Sequence, residues 1–242
     1  MNVLILAGGK GTRFSEETAF KPKPMIEINR VPMLIHIINH YRHYGFNNFT
    51  ILGGFKIDYI NNFFSSLYTK IGDNSYKLHN SKITILDTGI ETMTGGRVKK
   101  AIEAIDDNEF MLTYGDGISN VNLKNLYKFY KENNFLGVVT AVRPPARFGR
   151  LKIETNTVTE FGEKNQADEG WINGGFFVLN REVKNYIDND NTVFEKEPLE
   201  NLSNENRLGA FLHYGFWQCC DTIREKEILE EKIKLEGLDY EN

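Results

Sequence analysis

Three features of the sequence predict an α/β fold. Strand-like and helix-like segments alternate from Val3 to Asp116. Continuous apolar runs, VLILA (Val3 to Ala7) and FMLTY (Phe110 to Tyr114), suit strands buried on both faces of a mainly parallel sheet, with crossover helices supplying the cover. After Phe135 the texture changes to strand-like segments with few helical residues among them. Together these describe a Rossmann-like, mainly parallel mixed sheet flanked by helices, with antiparallel strands added in the C-terminal half.

Taken in order, VLILAG is the opening strand. In Met33 to Tyr44 the apolar residues Leu34, Ile37, Ile38, Tyr41 and Tyr44 keep helical spacings of three and four, and Gly45 stands where a helix would stop. NFTILGG is a strand, DYINNFFSSL a helix and ITILD a strand. The polar stretch Thr69 to Lys82 between the last two is the most loop-like segment and reads as an arm or lid. FMLTYGDG is a strand running into a turn. LGVVTAV, GRLKIE, TVTEFGE and GGFFVLN read as four antiparallel additions to the same sheet. FEKEPLENLSNENR is expected to be helical, GAFLHYG a strand, and Thr222 to Leu235 a charged helix. No repeat or long linker interrupts residues 1–242, which read as a single domain.

Composition narrows the function. An apolar fraction of 40% with 26% charged residues excludes a disordered chain. The net charge of −4 and a pI near 5.8 argue against non-specific nucleic-acid binding and favour small-molecule partners. The chain starts directly with a strand-like run, and no apolar stretch approaches the roughly 20 residues that span a bilayer. No membrane is expected, and a cytoplasmic location is. Cys219 and Cys220 are neighbours, so an ordinary bridge between them is excluded, and with five scattered histidines they offer no zinc spacing. They read as space-filling residues beside Trp217.

The chemistry begins at LILAGGKGTRF, Leu4 to Phe14. Closely spaced glycines at the carboxyl end of a first strand let backbone N–H groups point into a concave anion site, although a tight turn would use the same residues. Gly8, Gly9 and Gly11 do not fit G-x-G-x-x-G, since Arg13 and Phe14 stand where the third glycine belongs, and no Walker spacing follows. A nicotinamide-dependent dehydrogenase is disfavoured accordingly. Ten residues after Arg13, KPKPM (Lys21 to Met25) presents Lys23 between two prolines, expected in an extended, non-helical segment. A guanidinium and an ammonium beside a glycine-lined hollow describe a polyphosphate site, against the alternative of solvated surface charges. Asp116 in TYGDG is either a turn former or a metal ligand.

Beyond these motifs, SEET (Ser15 to Thr18), DTG followed by MTGGR (Asp87 to Arg97), RFG (Arg147 to Gly149), INGGFFVLN (Ile172 to Asn180) and GFWQ followed by DT (Gly215 to Thr222) occur in one order along nearly the whole chain. With LAGGKGTRF, KPKPMIEI and TYGDG they resemble the sugar-phosphate nucleotidylyltransferases, in particular the glucose-1-phosphate cytidylyltransferases. The resemblance implies a fold of the nucleotide-diphospho-sugar transferase type and cytidylyl transfer from CTP to a phosphorylated small-molecule acceptor. It implies Arg13 and Lys23 as catalytic residues, and Asp116 and Asp221 as ligands of Mg²⁺. The nucleotide is implied to lie against Leu6, Ala7, Gly8, Gly9, Gly11, Thr12, Thr94, Gly95, Arg97 and Asp116. The sugar phosphate is implied to meet Gly149, Glu163, Lys164, Asn173 and Gly174. Cytosine as the base is inferred wholly from the resemblance, as is a homo-oligomeric assembly.

This chain departs from the family pattern in three places, one of them a short tail after the last helix. The segment before DTG is short, and Asn165 follows Glu163 and Lys164 where the family has a proline. Three readings stay open: glucose 1-phosphate as acceptor, giving CDP-glucose for deoxysugars of a surface polysaccharide; another phosphorylated acceptor; and a non-catalytic nucleotide-binding subunit. The joint presence of Arg13, Lys23, Asp116 and Asp221 speaks against the last.

Overall fold

The structure is a computed structural model that describes residues 1–11, 18–144, 150–162 and 170–238. Its strands are β1 (Asn2–Leu6), β2 (Glu27–Ile28), β3 (Val31–Pro32), β4 (Asn48–Gly53), β5 (Thr69–Gly72), β6 (Ser75–Leu78), β7 (Ser81–Asp87), β8 (Glu109–Tyr114), β9 (Gly117–Ser119) and β10 (Gly137–Val142). There follow β11 (Arg150–Glu154), β12 (Thr157–Gly162), β13 (Ile172–Asn180), β14 (Leu208–His213) and β15 (Trp217–Cys219). The helices are α1 (Met33–His43), α2 (Ile57–Leu67), α3 (Thr94–Ala104), α4 (Leu123–Glu132), α5 (Glu197–Asn204) and α6 (Ile223–Leu235). Nine strands form one sheet in the order β14-β10-β13-β8-β1-β4-β7-β6-β5. β8, β1, β4 and β7 are mutually parallel at its centre, and β13 runs antiparallel to both β8 and β10.

The apolar runs behave as two-faced strands. Along β1, Val3 and Ile5 enter a core with α1, α2 and α4, while Leu4 and Leu6 enter a second core with α3 and Phe177 on the other face. Alternating side chains of a strand point to opposite faces, so a run without polar positions is stable only when both faces are covered. A third cluster joins Ile26, Ile28, Met33 and Ile118 to Cys220, Leu229 and Ile233, and so fastens α6 beside the carboxyl ends of the central strands. Gly45 stops α1 with φ of +88°, a conformation a residue with a Cβ rarely adopts.

Three expectations are corrected. Thr69 to Lys82 is not a loop but the β5–β6 hairpin, laid antiparallel on the edge of the sheet. Tyr76 and Leu78 are buried around exposed Lys77, and Asn74 turns the chain with φ of +50°. Lys23–Met25 is a single 3-10 turn rather than extended chain. Its prolines sit at the start of the turn, where a missing N–H costs nothing. Of the four antiparallel additions, β10 and β13 join the main sheet while β11 and β12 pair only with each other; β14 is parallel to β10. Two helices come without a forecast. α3 opens on Thr94-Gly95-Gly96, whose glycines disfavour a helix locally. α4 follows Asn122, whose side chain accepts from Asn125 N–H at 3.0 Å.

Candidate active site

Ligands in parallel sheets collect beyond the carboxyl ends of the strands. There, past β1 and β8, lies a cleft of ≈ 590 Å³. Leu6, Ala7, Gly8, Gly9 and Gly11 form one wall, Thr94 and Arg97 stand on another, and Lys23, Asp116 and Asp221 meet at the mouth. The backbone pins the glycine wall at three points. Ala7 N–H donates to Leu52 at 3.0 Å, Gly115 N–H to Leu6 at 2.9 Å, and Phe55 N–H to Gly8 at 3.1 Å. Gly11 has φ of +62°, and a Cβ there would lie 3.2 Å from the Cβ of Lys23. Glycine is therefore what lets the loop close on the lysine.

Lys23 donates to Asp116 Oδ2 at 2.6 Å and to Asp221 Oδ1 at 2.5 Å. Its side chain is 11% exposed, against 36% for Asp116 and 17% for Asp221. Burial opposes the ammonium charge, but the two carboxylates more than offset it and hold the Lys23 pKa above the ordinary lysine value. Each partner is separately anchored. Asp116 sits in the turn between β8 and β9, its carbonyl accepting from Cys220 N–H at 2.9 Å. Asp221 precedes α6, and Glu225 accepts from its N–H at 2.7 Å while Thr222 caps Glu225 N–H at 3.2 Å.

Arg97 is 4% exposed, and its guanidinium is spent on protein. It donates to Gly53 O at 2.8 Å, Gly8 O at 3.0 Å, Ile90 O at 3.3 Å and Thr88 Oγ1 at 2.5 Å. It thus braces the glycine wall through the Gly8 carbonyl, and a Cβ on Gly8 would collide with the guanidinium at 2.2 Å. Gly95, expected beside the nucleotide, faces elsewhere. It gives room to the Thr192 carbonyl, which would lie 2.6 Å from a Cβ. Across the mouth, Lys10 pairs with Glu91 at 2.8 Å.

Asn173 and Gly174, expected to meet the sugar phosphate, lie at the start of β13. Asn173 Nδ2 donates to the Tyr114 hydroxyl at 3.1 Å, and the Gly174 carbonyl accepts from Trp217 Nε1 at 2.7 Å. Thr12, Arg13, Gly149, Glu163 and Lys164 lie outside the described residues. Burial raises the thiol pKa of Cys219 to about 11 and of Cys220 to about 12, so both are neutral and non-nucleophilic near pH 7. The sequence reading passed over Tyr114 and Glu195. Tyr114 stands two residues before Asp116 and was absorbed into a strand; Glu195 sits in a charged stretch with no local sign of its partners.

The family model for nucleotidyl transferases matches residues 2–222. The chain belongs to the nucleotidyl transferase family. It is 43% identical over 243 residues, 95% of each chain, to the glucose-1-phosphate cytidylyltransferase of Salmonella typhi. It is 41% identical over 244 residues, covering 95% of this chain and 94% of the relative, to the probable glucose-1-phosphate cytidylyltransferase of Bacillus subtilis. Among solved structures, HddC from Yersinia pseudotuberculosis superposes with a TM-score of 0.73 at 23% identity, over 96% of this chain and 99% of that one, which shows a shared fold. Among the described residues no helix is long and apolar enough to cross a membrane.

Proposed function

We propose that this chain, acting as a single domain, transfers a cytidylyl group from CTP to α-D-glucose 1-phosphate, giving CDP-glucose and pyrophosphate. The observation that carries the reading is the convergence of Lys23, Asp116 and Asp221 at the mouth of a glycine-walled cleft. Full-length similarity to glucose-1-phosphate cytidylyltransferases supports the choice of base and acceptor.

The sugar phosphate is anionic near neutral pH, so its oxygen attacks the α-phosphorus without a general base. That P–O bond forms as the bond to the departing pyrophosphate breaks, and catalysis consists of positioning and charge stabilisation. The glycine wall offers backbone N–H groups to the phosphates, and Lys23 supplies a cation that stays charged across the physiological range. Neutral buried thiols agree with direct transfer and no covalent enzyme intermediate. Arg13 is assigned to the leaving pyrophosphate on the resemblance, and Gly149, Glu163, Lys164, Asn173 and Gly174 to the sugar phosphate on the same ground.

Two carboxylates that converge on one ammonium form a hard, oxygen-only donor set, which suits Mg²⁺. Asp116 and Asp221 would hold the ion, and when bound it supplies charge neutralisation at the phosphates. A cytoplasmic homo-oligomer serving surface polysaccharide synthesis completes the reading. Pyrophosphate release across a matrix of nucleoside triphosphates and phosphorylated acceptors tests it. Turnover is expected for CTP with glucose 1-phosphate; turnover with CTP and only some other acceptor overturns the acceptor, and silence across the matrix overturns the enzyme.

A further inference from the structure

We infer that Glu195 is a positioning residue for the acceptor site: its carboxylate, accepting from Tyr114 and Thr94 at once, sets the direction of a hydrogen-bond chain that orients Asn173. The inference rests on the reading under Proposed function and adds to it a residue that lies away from the phosphate motifs.

Glu195 is half-buried just ahead of α5. Thr94 Oγ1 donates to its Oε2 at 2.6 Å and the Tyr114 hydroxyl donates to its Oε1 at 2.8 Å. Thr94 Oγ1 in turn accepts from Phe194 N–H at 2.9 Å. Because Thr94 is the first residue of α3, the carboxylate lies at a helix N-terminus, where negative charge is favoured. An ionised carboxylate only accepts. The single proton of Tyr114 is therefore committed to Glu195, and the phenol oxygen has only a lone pair for its other neighbour.

That neighbour is Asn173, which must answer with its amide N–H: Nδ2 donates to the Tyr114 oxygen at 3.1 Å. The other end of the amide is equally engaged, since Oδ1 accepts from Gly175 N–H at 2.8 Å. The orientation is thus specified from both sides, and the second Nδ2 hydrogen is left to meet a hydroxyl oxygen of the sugar. Burial, reinforced by the charge of Glu195, raises the Tyr114 pKa, which keeps the proton on the phenol. Thr94 and Tyr114 belong to the nucleotide cleft and Asn173 to the acceptor side, so one carboxylate ties the two halves together.

A neutral glutamine at this position can donate as well as accept. It frees the Tyr114 proton to turn toward Asn173 and lets the amide reverse at the expense of the Gly175 bond. The test is steady-state kinetics with CTP and glucose 1-phosphate on the wild type, Glu195→Gln, Tyr114→Phe and the double variant, with thermal melts alongside. Glu195→Gln is expected to raise the KM for glucose 1-phosphate about tenfold or more, to move the KM for CTP less, and to keep its melting temperature. The double variant is expected to be no worse than Tyr114→Phe alone, which a merely structural role would not produce. An inactive wild type overturns the proposed function and this inference with it. An active wild type with an unchanged acceptor KM in Glu195→Gln, or additive effects in the double variant, overturns the inference alone. Should Glu195→Gln fail to fold, an unchanged acceptor KM in Tyr114→Phe overturns it equally.

Discussion

Replacing Lys23 with methionine keeps the length of the side chain and removes the charge that Asp116 and Asp221 share. Breaking a fully buried ion pair from one side costs about 3–5 kcal/mol. Asp116 is 36% exposed and Asp221 17%, so solvent screens part of the uncovered repulsion and the cost falls to about 2 kcal/mol. For a chain of 242 residues that lowers the thermal midpoint by about 4–8 °C. Since the Lys23 pKa is raised above 10.5, this stabilisation is fully present below pH 10.5 and is lost only as pH climbs through the raised value. The gap between wild type and variant is therefore constant from pH 6 to 9. Adding Mg²⁺ is expected to recover more of the midpoint in the variant than in the wild type, because a divalent cation relieves two facing carboxylates. With Lys23 in the role proposed for it beside the reacting phosphate, its loss is expected to lower kcat about 10²–10³-fold, read by pyrophosphate release at saturating CTP. A variant within about threefold of wild-type kcat would refute the role given to Lys23.

Two further perturbations test the scaffold around the cleft. Arg97→Lys leaves a single point donor where a fork holds four acceptors. A loss of about 2–4 kcal/mol in urea unfolding is expected, together with a raised KM for CTP as the glycine wall loosens; unchanged stability would mean that the guanidinium is not a brace. His40 is buried, its pKa pushed down to about 4 by burial and by nearby His43 and His213. Between pH 6.5 and 4 the unfolded chain binds a proton that the native chain refuses, so stability falls with falling pH, by about 3 kcal/mol at pH 4. His40→Gln is expected to remove that slope from a series of urea melts; an identical slope would place the proton uptake elsewhere.

Much of the site was legible locally. Closely spaced glycines, a lysine next to prolines and an aspartate between glycines are choices made within a few residues, and Gly8, Gly9, Gly11, Lys23 and Asp116 line one cleft. The strands of the first half were equally open to reading, because an uninterrupted apolar run has one stable use in a sheet covered on both faces. The hairpin from Thr69 was not. Tyr76 and Leu78 carry too short an alternation among polar residues to announce a strand, and only the free edge of β7 gives them a partner. The start of α3 was hidden for the opposite reason: Gly95 and Gly96 disfavour a helix locally but admit the close approach of Thr192 and Asp190.

Sequence by itself determined the chemical inventory: a glycine-rich loop at the end of a first strand, a cation and two carboxylates. Tertiary structure decided who meets whom. Lys23 finds its two carboxylates 93 and 198 residues away, Arg97 turns out to hold the wall of the cleft, and Glu195 reaches back 101 residues to Thr94 and 81 to Tyr114. Backbone period and turn chemistry act between near neighbours, whereas the partner of a charged side chain is chosen by where separate strands and helices end in space.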